Sequence, residues 1–405
     1  MTRRRTVTIV AAVLLLAGCA SGGVTSGAPA GTTPTTPAPS ASTATDEAHE
    51  ADAAAPAARP LRAGERFETL TVPGGAYTPS APAGSMDDYH CFLLDPGLTR
   101  DTFVTGTDVL PGNSDVVHHA ILFRVEPGQV AQAEAHDAAT AGRGWTCFGG
   151  SALPNTSGNA ISALDSAPWL AAWAPGGGEA VLGRGTGMLL PKGSRVVLQV
   201  HYNLREGTQP DRTRVRLRLA RDGARLQALH TMLLVAPVEL PCTPDESGPL
   251  CDRARALADL SARFGNRAGA TVSGLQLLCG GSLTRPRAGP TQRCDRAAPE
   301  AMRVRAVAGH MHLLGRSISV TLDPGGPNQR RLLDRKVWDF DDQHATPLRR
   351  PVLVRAGEAL RVTCTHDAGL RSMLPELQGL PPRYVTWGEG TSDEMCLGIV
   401  MYTDA

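Results

Sequence analysis

Val116-Val117-His118-His119-Ala120-Ile121-Leu122-Phe123 is a run of eight residues without a charged side chain. Its length and composition are those of a β-strand held between turns rich in Gly, Pro and Asp. Outward from it, strand-like stretches recur at Thr102 to Thr107, Arg195 to Leu204, Arg214 to Leu219, Leu229 to Val235, Met302 to Val307, Arg316 to Leu322, Val352 to Val354, Ala359 to Thr365 and Leu397 to Tyr402. Short strands punctuated by turns predict an all-β chain of antiparallel sandwiches or barrels. One helix is expected, Asp252 to Phe264, with apolar residues at Ala254, Leu257, Ala258 and Leu260. A strand ends and a cysteine-closed loop begins near Pro237 to Pro241, which divides the folded part into residues 63–236 and 237–405.

The 405 residues carry 40 basic and 39 acidic side chains, a net charge of +1 that speaks against a nucleic-acid partner, which would demand a basic excess. Hydrophobic residues at 42% and charged residues at 20% exclude wholesale disorder. No apolar run reaches the length of a spanning helix. Arg3, Arg4 and Arg5 precede the apolar stretch Val7 to Leu16, followed by Leu16-Ala17-Gly18-Cys19. This is the layout of an export signal, and its ending on a cysteine resembles the bacterial lipobox. Residues 1–18 are then removed, Cys19 becomes a lipidated N-terminus, and the chain is held on the outer face of the plasma membrane. Residues 19–62, mostly Ala, Ser, Thr, Pro and Gly, cannot bury enough apolar surface to order themselves and read as a disordered tether.

Apart from Cys19, eight cysteines remain: Cys91, Cys147, Cys242, Cys251, Cys279, Cys294, Cys364 and Cys396. An even number in an exported chain predicts four disulfides, and spacing suggests Cys242 with Cys251 and Cys279 with Cys294.

Histidine is unevenly placed. His118 and His119 are adjacent in the opening strand, His201 lies in Val196-Val197-Leu198-Gln199-Val200-His201-Tyr202, and His310 and His312 form an HxH. On a strand, positions i and i+2 share a face, so His310 and His312 can meet one ion. His118 and His119 would point to opposite faces, and sharing an ion needs a twist or bulge. A lone strand histidine is ordinarily a hydrogen-bonded core residue, but five imidazoles in apolar strands are better satisfied by metal. His49 falls in the tether, and His90, His136, His230, His344 and His366 read as structural or exposed residues. Imidazole suits zinc, copper, iron and nickel, whereas a thioether beside the HxH would select copper.

Four segments, in order along residues 85 to 402, together resemble the copper type II, ascorbate-dependent monooxygenases: Val117 to Phe123, Leu198 to Tyr202, Gly309-His310-Met311-His312-Leu313-Leu314-Gly315, and Ser392-Asp393-Glu394-Met395-Cys396. The resemblance implies two jelly-roll-like β-sandwich domains facing one another across an open cleft. It implies an electron-transfer copper on His118, His119 and His201, and a catalytic copper on His310, His312 and Met395, hence two coppers per chain. It also implies pairing of Cys91 with Cys147 and Cys364 with Cys396. The implied reaction is hydroxylation of a C–H bond of a small organic substrate by dioxygen, with ascorbate or a similar one-electron donor as co-substrate. A monomer is expected.

The sequence departs from the family's peptide-hydroxylating members, whose carboxylate-gripping residues are replaced by Ala308, Leu397 and the pair Gly398 and Ile399. Without a bidentate clamp, a glycine-extended peptide is disfavoured and a neutral or aromatic substrate favoured. Gln199 stands where the family's residue would order water in the cleft, or is an ordinary strand residue. Two other readings are a surface copper-binding or copper-scavenging lipoprotein without catalysis, and a zinc hydrolase. The hydrolase is disfavoured by the absence of HExxH and by the methionine.

Overall fold

Alternating apolar residues build most of the strands. In a computed structural model, which describes residues 58–82, 85–154, 164–340 and 342–405, strand outweighs helix by 40% to 15%. The export signal, Cys19, His49 and the tether up to residue 57 lie outside the described residues. The first half holds β1 (Arg66–Thr71), β2 (Asp87–Leu94), β3 (Thr102–Leu110), β4 (Val117–Val125), β5 (Trp145–Thr146), β6 (Trp169–Trp173), β7 (Ala180–Val181), β8 (Thr186–Leu190), β9 (Arg195–Asn203), β10 (Arg214–Leu219) and β11 (Gln227–Ala228). One sheet runs β1-β10-β3-β8-β11, with β7 on β3, and the other runs β5-β2-β9-β4-β6. All of these pairs are antiparallel except β11 with β8. Leu70, Val104, Leu190 and Leu217 of the first sheet share one buried core with Phe92, Leu122, Leu198 and Val200 of the second. That shared core makes the pair a sandwich.

The second half holds β12 (His230–Val235), β13 (Glu239–Leu240), β14 (Thr291–Ala297), β15 (Met302–His310), β16 (Gly315–Leu322), β17 (Arg330–Arg335), β18 (Thr346–Val354), β19 (Ala359–His366), β20 (Val385–Thr386) and β21 (Leu397–Asp404). Sheets β12-β21-β15-β18 and β14-β19-β16-β17 close on Leu234, Val304, Val307, Ile318, Val320, Val362 and Val400. Gly309 and Gly398 are cross-strand partners on the inner face, and a Cβ at either would strike Ile318 or Val320 of the opposite sheet. Their lack of a side chain lets the sheets approach beside the HxH segment.

The helix expected over Asp252 to Phe264 is α2 (Arg253–Phe264), with the Asp252 side chain accepting from the Arg255 amide as its N-cap. Two further helices, α1 (Val130–Ala138) and α3 (Asn266–Leu278), were not expected. Two glycines and the β-branched Thr271 and Val272 lower the propensity of α3, which is held instead by burial of Ala268, Val272 and Leu275 against the second core. All four disulfides form as anticipated: Cys91 with Cys147, Cys242 with Cys251, Cys279 with Cys294, and Cys364 with Cys396.

Candidate metal centres

The obstacle posed by adjacent histidines is removed by the backbone. In β4, Val117 pairs with Tyr202 and His119 with His201, so His118 is an extra residue at a β-bulge. The inward set Val117, Ala120, Leu122 skips one position at the bulge, and both imidazoles reach the outer face with His201. His201 Nδ1 lies 3.2 Å from His118 Nδ1 and 3.1 Å from His119 Nδ1. The tautomer of His201 is fixed from behind: its Nε2 donates to Asp87 Oδ1 at 2.9 Å, which leaves the Nδ1 lone pair facing its neighbours.

Burial and the neighbouring imidazoles push His118 down to about 3 and hold His119 well below its ordinary range, so both are neutral at physiological pH. Burial alone would raise Asp87, but the hydrogen bonds from His201 and Thr391 outweigh it and keep the carboxylate ionised. Tyr89 stacks flat on His201 with ring centroids 4.1 Å apart, and Phe340 covers His118 at 5.4 Å.

His310 is the last residue of β15, and a bulge between Val304 and Ala306 sets Ala306, Ala308 and His310 on the outer face. His312 lies beyond the end of the strand, so the expected i, i+2 strand geometry does not apply. A turn brings the rings to 5.3 Å instead, crossed at 81°. His310 Nδ1 meets Gln343 Oε1 at 2.5 Å, and Gln343 Nε2 donates to the Phe340 carbonyl, which fixes the amide's orientation. His312 Nδ1 donates to the Asp393 carbonyl at 3.1 Å. Both rings therefore present Nε2, in contrast to the Nδ1 donors of the triad. Burial, then His312, lowers His310 to about 4.

Met395 is buried, packs on the second core, and borders the same cavity as His310 and His312. Sequence reasoning did not find the residue that holds this arrangement. Glu394, fully buried, accepts from the amides of His312 (2.9 Å), Leu314 (2.6 Å) and Met395 (3.1 Å), and faces His366 Nε2 at 3.4 Å. Burial opposes both charges, yet their pairing lowers Glu394 and raises His366. Asp87, Gln343 and Thr391 were missed too, since a partner that orients a ligand through space leaves no mark at sequence spacing. His90, read as structural, stacks on Tyr77 and bonds the Arg143 carbonyl, while His136 stacks on Trp145. His230 sits 3.7 Å from Asp404, and exposed His344 pairs with Asp342.

Among the described residues the two clusters stand close together. His119 and His310 stand 6.3 Å apart by ring centroid, and His118, His119, His201 and His312 share, with Phe340, Glu389 and Thr391, a void of about 10 Å³. That is roughly the space of one water or ion. A larger cavity of about 1360 Å³ extends from His310 and Met395 over Ala308, Leu397, Ile399 and Trp169. The Gln199 amide donates to the carbonyls of Cys147 (2.7 Å) and Gly150 (2.9 Å), tying down the disulfide loop.

Fold and donor sets together describe a chain of β-sandwiches with a three-histidine metal cradle against a second histidine pair. Residues 290–405, which include His310, His312 and Met395, match the family model for the copper type II ascorbate-dependent monooxygenase, C-terminal domain. The match indicates a copper- and ascorbate-dependent monooxygenase kind of function. No curated protein matches the chain. Among solved structures, the chain is similar to the major capsid protein P2 from bacteriophage PM2, at 11% identity over 84% of this chain and 97% of that one, with a TM-score of 0.28. It is also similar to a fucolectin from striped bass serum, at 10% identity over 79% and 84% of the two chains, with a TM-score of 0.17. Neither likeness bears on function.

Proposed function

We propose that the protein is a lipid-anchored, exported copper monooxygenase that hydroxylates a C–H bond of a neutral, apolar or aromatic substrate, with ascorbate or a similar one-electron donor. The observation that carries this reading is the pair of unlike donor sets, three Nδ1 atoms in one and two Nε2 atoms on a cavity that a buried methionine also borders in the other, with the rings of His119 and His310 6.3 Å apart. Neutral imidazoles fit copper, and a thioether favours its reduced state. His118, His119 and His201 would hold one copper, and His310, His312 and Met395 the other. Bound there, copper supplies one-electron redox chemistry and a place for dioxygen to be reduced. The balance, R–H plus O2 plus two electrons and two protons giving R–OH plus water, requires two electrons from outside the substrate, which matches two one-electron centres.

The chain's own residues set the conditions. Asp87 and Gln343 fix which ring nitrogen His201 and His310 offer, Glu394 holds the HxH turn against the methionine backbone, and the apolar wall of Ala308, Leu397 and Ile399 receives the substrate. The cavity exceeds the few hundred to about 1,000 Å³ usual for small-molecule sites, which leaves room for a substrate larger than an amino acid.

Metal-free protein should take up two coppers per chain, and Met395→Ala should abolish turnover while sparing the triad's copper. Turnover is read as ascorbate-driven incorporation of labelled oxygen into product. Copper uptake without coupled oxygen consumption would favour a copper-binding lipoprotein, and zinc retention with no copper would overturn the reading. Cys19→Ser should release the protein from membranes into the medium.

A further inference from the structure

The segment that brings Met395 to the second centre also reaches the first. Thr391, four residues before Met395, is buried, and its hydroxyl donates to Asp87 Oδ1 at 2.7 Å while its amide meets Asp87 Oδ2 at 3.2 Å. The same hydroxyl accepts from Asn203 Nδ2 at 2.8 Å. Its direction is settled, because an amide NH2 only donates and a carboxylate only accepts. Asp87 and Asn203 are cross-strand partners on β2 and β9, so Thr391 is wedged between two side chains of the first sandwich. The protons thus run from Asn203 to Thr391 to Asp87, and Asp87 in turn receives the Nε2–H of His201. Asp87 is 3% exposed, and among the described residues its carboxylate is held by His201 and Thr391. A buried carboxylate depends on such donors to stay in place.

We propose that Thr391 is a positioning residue for the three-histidine centre, acting through Asp87 on His201, although it belongs to the loop of the other centre. This rests on the copper reading of the triad. Within five residues that loop supplies Thr391 to Asp87, the Asp393 carbonyl to His312, Glu394 to the HxH turn, and Met395 itself. A metal held by the triad would favour the arrangement of His201, Asp87 and Thr391 seen here, and through it the segment that carries Met395; any such coupling would be reciprocal.

The test uses the full chain and copper affinity of the triad, measured by competition with a chromophoric chelator. It is paired with the nitrogen NMR signature of the His201 tautomer in metal-free protein. Thr391→Val keeps the shape and removes the hydroxyl; Thr391→Ala makes the same comparison should valine disturb packing. The expected result is a loss of affinity of about 10–100-fold, the usual effect of removing a residue that orients a metal ligand. His201 should no longer be held as the Nε2–H tautomer, and Thr391→Ser should restore both readouts. Unchanged affinity and an unchanged tautomer overturn the proposal while leaving the copper reading intact. A parent protein that binds no copper at the triad overturns the copper reading, and the tautomer comparison then still decides whether Thr391 positions His201.

Discussion

Replacing Glu394 by Gln tests whether one carboxylate holds the HxH turn to the methionine. Oε2 accepts from the His312 and Met395 amides and faces His366, so the new carbonyl oxygen would take that place, and the new NH2 would turn toward the Leu314 amide that Oε1 now accepts. That contact becomes donor against donor, and a buried amide loses its partner at a cost of about 1–3 kcal/mol. His366, which the carboxylate raises above its ordinary range, also loses that partner, and removing one side of a buried charged pair costs up to about 3–5 kcal/mol. The two effects overlap, so about 3–5 kcal/mol is expected for the whole change, read from urea denaturation of the metal-free chain. Locally, hydrogen exchange at the His312, Leu314 and Met395 amides should accelerate at least a hundredfold, since 1.4 kcal/mol corresponds to a factor of ten. If Glu394→Gln costs less than about 1 kcal/mol and leaves those amides protected, the clamp does not exist in the form described.

The pH response follows from the neutral imidazoles. His118 near 3 and His310 near 4, both below the ordinary 6.5, bind fewer protons folded than unfolded, so their contribution is complete above pH 6.5 and is lost as pH falls toward 3 to 4. Urea midpoints of the metal-free chain should show a shallower decline over that range in His118→Gln than in the parent. Gln199→Leu should cost about 2 kcal/mol by leaving the Cys147 and Gly150 carbonyls without their shared donor. Paired urea curves would show it. Ala308→Phe should narrow the cavity beside His310, raising KM for bulky substrates in steady-state kinetics while copper content stays at the parental level.

The fold was legible where one face of a strand is apolar. The opening strand, the His201 strand and β21 could be placed from their composition, and the helix after Pro249 from its Ala, Leu and Arg content. β14 and β17 were not found, because Thr291–Ala297 and Arg330–Arg335 carry charged residues on strands whose pairing is decided by β19 and β16. In β14 the inward positions are Gln292, Cys294 and Arg296, and the arginine is tolerated inside by pairing with Asp165. Tertiary partners chose those strands, not local preference. The six candidate ligands were nameable because imidazole and thioether are scarce and their pattern carries chemistry. Their supports, Asp87, Gln343, Thr391 and Glu394, come from positions that only folding brings near. The narrow gap between the two clusters is likewise a property of how the halves meet, which no local pattern encodes.

Removing His118 by deletion, in place of substitution, would bring Val117, His119 and Ala120 into uninterrupted in–out–in order along β4, leaving Ala120 and Leu122 facing the same interior. The shortened strand would be the more regular one, with every rung to β9 matched, and its outer surface would bear a solitary imidazole. The architecture thus has no need of the residue. On the proposed reading it is a surplus letter that turns a ring toward its neighbours, so its loss would leave a sound but idle scaffold.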